Sequence, residues 1–165
     1  MKNNKKRNWK KIIGSICAII VLLLIGAIVV LRLAINPRDN ENSRIKEIAL
    51  DKTSIKTIDR YYHLSRDKKS VALKGKSKKG KTYYFIYLPA SKKAYLYDTK
   101  QGKSQQNVIN QFSADHPNRT IKTVNLGWYE KRAVWEIRYT KKNGKSGFVI
   151  YDFKTGEELS YIDNL

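Results

Sequence analysis

Reactive side chains are scarce in this chain. It has one cysteine, Cys17, and two histidines, His63 and His116, among 165 residues. Cys17 lies inside an apolar run, where its thiol is an inert apolar group, so the rest of the chain forms no disulfide and offers no thiolate. The histidines stand 53 residues apart with no acidic cluster beside them, which is no metal-ligand spacing. No serine stands in a nucleophile-elbow pattern, and the glycines of Gly75-Lys-Ser-Lys-Lys-Gly80 do not fit a phosphate-binding P-loop. Asp152, Glu157 and Glu158 are close in sequence, as paired acid-base carboxylates would be, yet their place at a strand end and the following turn reads as solvated turn chemistry. The expectation is no catalytic site, no metal and no cofactor. Both histidines are expected at helix C-termini, where the dipole favours them.

What is present begins with Ile12 to Leu31, 20 residues without a charge, 14 of them Ile, Leu or Val. As a helix this run spans a bilayer core of roughly 30 Å. Lys2, Lys5, Lys6, Arg7, Lys10 and Lys11 precede it with no acid, whereas the residues after it mix both signs. The positive-inside bias therefore keeps the N-terminus in the cytoplasm and puts the chain from about Asn36 outside it. A cleaved signal peptide is the rival, but the run exceeds the usual length and Leu33-Ala34-Ile35 is a poor cleavage site. The expected organisation is a cytoplasmic basic tail (1–11), a transmembrane anchor (12–35), a linker (36–42) and two repeats (43–102 and 103–165).

Acidic residues are also few, 14 against 25 lysines and nine arginines, for a net charge of +20. Such a bias in a cytosolic protein would suggest nucleic acid; the expected topology makes that no default partner. The absence of disulfides and the excess of lysine lean towards a bacterium, outside whose membrane the abundant polyanions are wall polymers and lipid headgroups. The densest basic feature is Lys74-Gly-Lys-Ser-Lys-Lys-Gly-Lys81. Lys74, Lys76, Lys78, Lys79 and Lys81 are candidate polyanion contacts, with a merely solvated hairpin loop as the equal alternative.

Ser43 to about Leu64 carries Ile45, Ile48, Ala49, Ile55, Ile58 and Tyr62 at helical spacing, which predicts an amphipathic helix with a break allowed at Thr53-Ser54. Val71–Leu73, Thr82–Leu88 and Ala94–Asp98 then read as strands of a meander. A second helix over Ser104 to Ala114, with Val108, Ile109 and Phe112 on one face, precedes strands over Thr120–Trp128, Ala133–Thr140 and Gly147–Phe153, with a further short edge around Leu159 to Ile162 as an option. The halves can be laid on each other, Thr82–Tyr87 on Ala133–Arg138 at an offset of 51 and Tyr97–Gly102 on Tyr151–Gly156 at an offset of 54. The fold expected is α+β: an N-terminal transmembrane helix followed by two tandem α-β-β-β units, each a helix on a three-stranded antiparallel meander.

The anchor, the two units, Val134-Trp-Glu-Ile-Arg-Tyr139, the turn Lys142-Asn-Gly-Lys145 and Val149-Ile-Tyr-Asp-Phe-Lys-Thr-Gly-Glu-Glu158 together are similar to the PepSY-like repeat. The whole resembles the TseB (YpmB) family of low-GC Gram-positive bacteria. The first copy departs from the pattern, with Pro89-Ala-Ser in place of the Asn-Gly turn and Phe85 where the second has Glu136. The resemblance implies a non-enzymatic, membrane-anchored regulator of cell wall elongation whose partner is a class B penicillin-binding protein, a transpeptidase of peptidoglycan synthesis. PepSY-like domains elsewhere restrain peptidases, a second option, and an electrostatic tether to teichoic acid or lipid phosphates is a third. A regulator should present exposed aromatics, for which Tyr61, Tyr62 and Trp128 are the candidates.

Overall fold

The computed structural model describes residues 3–163. Two compact units divide after Glu41. Helix α1 (Asn3–Lys52) contains Ile12–Leu31, which is long and apolar enough to cross a membrane and is wholly exposed in the structure. Lys2 and the side chains of Lys5, Lys6, Arg7, Lys10 and Lys11, on which the expected orientation rests, lie outside what the structure describes. Residues 36–42, read from the sequence as a linker, are helical.

From Asn42 onward the chain forms two four-stranded antiparallel meanders. The first comprises β1 (Ile55–Ser65), β2 (Lys69–Ser77), β3 (Thr82–Leu88) and β4 (Lys93–Asp98); a short 3₁₀ turn and α2 (Gln105–Asp115) lead to the second, β5 (Arg119–Tyr129), β6 (Arg132–Lys141), β7 (Ser146–Asp152) and β8 (Glu158–Asp163). The fold is thus α+β as expected, but each sheet has four strands where three were expected.

The extra strand in the first sheet is the stretch Ile55–Ser65, which the spacing assigned to a helix. Helix α1 stops at Lys52, where the Thr53 hydroxyl donates to the Ala49 carbonyl at 2.6 Å and accepts the Ile55 amide at 3.1 Å. Strand β1 pairs with β2 through two register shifts, between Ile55 and Thr57 and between Ile58 and Arg60. Each bulge inserts one residue, so Ile55, Ile58 and Tyr61 point to the α1 side three apart instead of two. Two bulges in series thereby mimic a helical stripe. His63 is consequently mid-strand and not a helix cap, whereas His116 does cap α2, its amide donating to the Phe112 carbonyl at 2.8 Å.

The internal repeat also has a different register. The turns Ser77–Lys81 and Lys141–Lys145 share two backbone hydrogen bonds, and both contain a glycine at positive φ, Gly80 at 76° and Gly144 at 81°. That is an offset of 64, which aligns β1 with β5, β2 with β6 and β3 with β7. The offsets of 51 and 54 pair strands one place out of step. Tyr-Asp-x-Lys-x-Gly recurs because Asp98 and Asp152 each accept backbone amides two residues on, from Lys100 at 2.9 Å and Lys154 at 2.8 Å. It follows β4 in one case and β7 in the other, so it marks a kind of turn and not a repeat position.

The helices also differ in what they cover. Ile45 and Ala49 of α1 pack with Ile55, Val71, Leu73, Phe85 and Tyr87 on one face of the first sheet. Val108 and Phe112 of α2 sit in a core shared by both sheets, with Tyr62, Tyr84 and Ile86 from the first and Trp135, Ile137 and Tyr151 from the second. Trp135 is its centre, meeting Tyr62 and Tyr84 edge-on at 5.6 and 5.5 Å. The two sheets thus share one core.

Candidate functional site

The lysine-rich segment Lys74–Lys81 runs from β2 through its hairpin to the start of β3. Gly80 adopts the positive φ that closes the turn, and the Ser77 amide donates to the Lys81 carbonyl at 2.9 Å. The hairpin overhangs the junction of α1 and β1, leaving a cleft of about 400 Å³ lined by Ser54, Lys56, Ser77, Lys78, Lys79, Lys81 and Tyr83. Four lysines and no carboxylate line it.

The five candidate lysines are not equivalent. Lys81 pairs with Asp98 at 2.8 Å; that contact, joined by the Lys100 amide, holds the Asp98 carboxyl below its ordinary range and raises the Lys81 ammonium. Lys76 reaches Asp59 at 3.7 Å. Lys74 is half-buried on β2, opposite Arg60 and Tyr84, and does not line the cleft. Lys56, which the sequence reading did not single out, lines it while donating to the Leu50 carbonyl at the end of α1 at 3.3 Å. Lys78 and Lys79 are exposed at the tip and form no ion pair among the described residues.

The candidate partner-binding aromatics are corrected for two of three. Tyr62 is 2% exposed and Trp128 6%; both belong to the shared core, where Trp128 stacks on Tyr95 at 4.0 Å. The Tyr62 hydroxyl contacts Gln105 at 3.1 Å, and burial pushes it up to about 12. Tyr61 is half-buried against the α1 side of the first sheet. Among the described residues after the apolar run, the large apolar side chains that stand exposed are Leu96 and Ile162, on the outermost strands β4 and β8; Trp9, ahead of the run, is exposed as well.

Of the carboxylates near the end of β7, Asp152 serves the backbone, accepting the Lys154 and Thr155 amides at 2.8 and 2.9 Å with Arg132 at 3.8 Å, while Glu158 stands 3.9 Å from the His116 ring. Among the described residues no three His, Cys, Asp or Glu side chains cluster as a metal site requires. A carboxylate that sequence reasoning missed is Glu136, which is fully buried on β6. Arg66, from the β1–β2 turn, pairs with one of its oxygens and Arg138 with the other at 2.8 Å, while the Arg66 guanidinium lies 3.4 Å over the Phe148 ring. This clamp joins the two sheets and is structural.

No family model matches this chain, and no curated protein does. Among solved structures it is similar to the YpmB protein from Bacillus subtilis, with 24% identity, a TM-score of 0.62, and coverage of 72% of this chain and 93% of that one. The resemblance read from the sequence is therefore met at the level of architecture, and the chain has the fold of the YpmB protein.

Proposed function

We propose that this chain is a non-enzymatic, single-pass membrane protein whose residues 42–165 lie outside the cytoplasm, where they regulate cell wall elongation by binding a class B penicillin-binding protein. The observation that carries this reading is the likeness to YpmB, which extends over 93% of that chain. It is supported by a helix able to cross a membrane. With Tyr62 and Trp128 in the core, Leu96 and Ile162 on the edge strands are the apolar side chains that a protein partner would cover.

The test is a pull-down of the anchored protein from detergent-solubilised Gram-positive membranes at low and high salt, with the retained proteins identified. A transpeptidase retained at high salt supports the proposal. Recovery of anionic polymer alone, released by salt, overturns it.

A further inference from the structure

The basic cleft at the first hairpin has a counterpart. A second cleft, of about 440 Å³, is lined by Asn118, Arg119, Lys141, Lys142 and Asn143. Under the offset of 64 that relates the two sheets, Asn118 stands where Ser54 does, Lys141 where Ser77 does, and Lys142 and Asn143 where Lys78 and Lys79 do. Both clefts lie between the segment entering the first strand of a sheet and the tip of its second hairpin, and the two hairpins share their turn geometry.

The chemistry is repeated along with the position. Neither lining contains a carboxylate, and each supplies small polar side chains beside cations. In the first cleft Lys78 and Lys79 have no ion pair among the described residues. In the second, Arg119 and Lys141 are drawn to Asp163, while Lys142 stands exposed at the rim without an ion pair and the Arg119 Nε–H is buried without an acceptor. Lys78 and Lys79 in the first cleft and Lys142 in the second, left without an acid beside cations already paired, favour an anion, and volumes of several hundred Å³ admit more than a lone ion. A guanidinium, ammonium groups and small hydroxyl or amide side chains match the oxygens of a phosphodiester.

We propose that the two hairpin clefts are paired binding sites for phosphodiester groups, presented by a poly(glycerol phosphate) chain or by the headgroups of an anionic lipid. The sites are independent of the transpeptidase reading, since no residue of β4 or β8, which carry Leu96 and Ile162, lines either cleft.

The test uses the full chain reconstituted in phosphatidylcholine nanodiscs. It is titrated with soluble poly(glycerol phosphate) and separately with phosphatidylglycerol vesicles, phosphatidylcholine vesicles serving as blank. Near an anionic surface one lysine contributes roughly fivefold in affinity, so Lys78→Ala/Lys79→Ala should weaken binding at least about tenfold, and Lys142→Ala about threefold to fivefold. Lys46→Ala/Lys122→Ala removes the same charge from exposed positions outside both clefts and should cost less than about twofold. Lys78→Arg/Lys79→Arg should retain binding, which separates loss of a site from loss of fold. Binding of one probe only, with this pattern of variants, supports the proposal and names the source of the phosphodiester. Equal losses from the hairpin and control pairs, or no binding to either probe, overturn it.

Discussion

Ser70 of β2 accepts the backbone amide of Trp128 in β5 at 3.0 Å, while its own hydroxyl donates to the Leu64 carbonyl at 3.2 Å. Strand β5 is the outermost strand of its sheet, so the Trp128 amide points away from β6 towards the first sheet. A buried hydroxyl thus joins two sheets that share no strand. Beside it, a side chain on Gly127 would come within 2.6 Å of the Ser70 hydroxyl and also strike Leu64.

Removing this hydroxyl leaves a buried amide unsatisfied. Ser70→Ala should therefore destabilise residues 42–165 by about 1–3 kcal/mol, lowering the urea midpoint without changing the circular dichroism of the folded state. Gly127→Ala should cost more, because backbone and not a flexible tip must move. A midpoint unchanged in Ser70→Ala would mean that water replaces the hydroxyl and that the junction is wetter than its 1% exposure indicates.

The Arg66 and Glu136 pair is the second junction between the sheets. Truncating Arg66 leaves a fully buried carboxylate with Arg138 alone and strips the guanidinium from Phe148, a loss on the order of 3 kcal/mol. Arg66→Lys should recover little, since an ammonium neither stacks on the ring nor donates along a plane. Arg66→Ala combined with Glu136→Gln should be less destabilised than Arg66→Ala alone; a double variant worse than the single would show that the carboxylate charge is not the source of the cost.

How much of this was legible in the sequence depends on whether a signal is local. The apolar run, α2, β3, β6 and β7 follow from periodicity and turn residues, which act over a few positions. Strand β1 did not, because two bulges convert a period of two into a spacing of three. The repeat offset was misjudged through Asp98 and Asp152, where one kind of turn serves two different strand ends. The role of Glu136 was not legible because its partner Arg66 is 70 residues away. Tyr62 and Trp128 read as exposed for a related reason: one sheet alone leaves them open, and only the second sheet buries them. The lysine hairpin was legible, but its cleft was not, since Ser54 and Lys56 reach it only through the pairing of β1 with β2.

Acid should weaken the fold at Asp163. Lys141 is the first cause holding its carboxyl below the ordinary range, with the Tyr139 and Tyr161 hydroxyls at 2.9 and 3.0 Å and Arg119 at 3.4 Å also facing it. A carboxyl depressed in the folded state contributes stability that is complete above its unfolded value, near 4, and is lost as pH falls towards the folded one. Wild-type urea midpoints should therefore drop between pH 6 and pH 3 more than those of Asp163→Asn. Parallel pH profiles would remove Asp163 from the acid response.

The β5–β6 hairpin turns on Glu130 and Lys131, both at positive φ, 44° and 63°. A two-residue turn of that hand favours Asn-Gly, and non-glycine residues there carry strain. Glu130→Asn/Lys131→Gly should raise the thermal midpoint, by about 1 kcal/mol of stability, although neither side chain enters the core. A lowered midpoint would indicate that Lys131, which lines a small cleft with Tyr97, Trp128 and Asp152, makes contacts worth more than the strain.

Orientation across the membrane can be read chemically because the chain has a single cysteine. Cys17 lies within the apolar run, so Cys17→Ala removes the native thiol with little change in hydropathy. Into that background Lys79→Cys and Lys100→Cys each place one thiol at an exposed position, at the β2–β3 hairpin and after β4. If residues 42–165 lie outside the cytoplasm, a membrane-impermeant maleimide should label both in intact cells whose wall has been removed, and permeabilisation should add nothing. Labelling that required permeabilisation would reverse the topology. It would also remove the transpeptidase and wall polymers from reach, because both act on the opposite face.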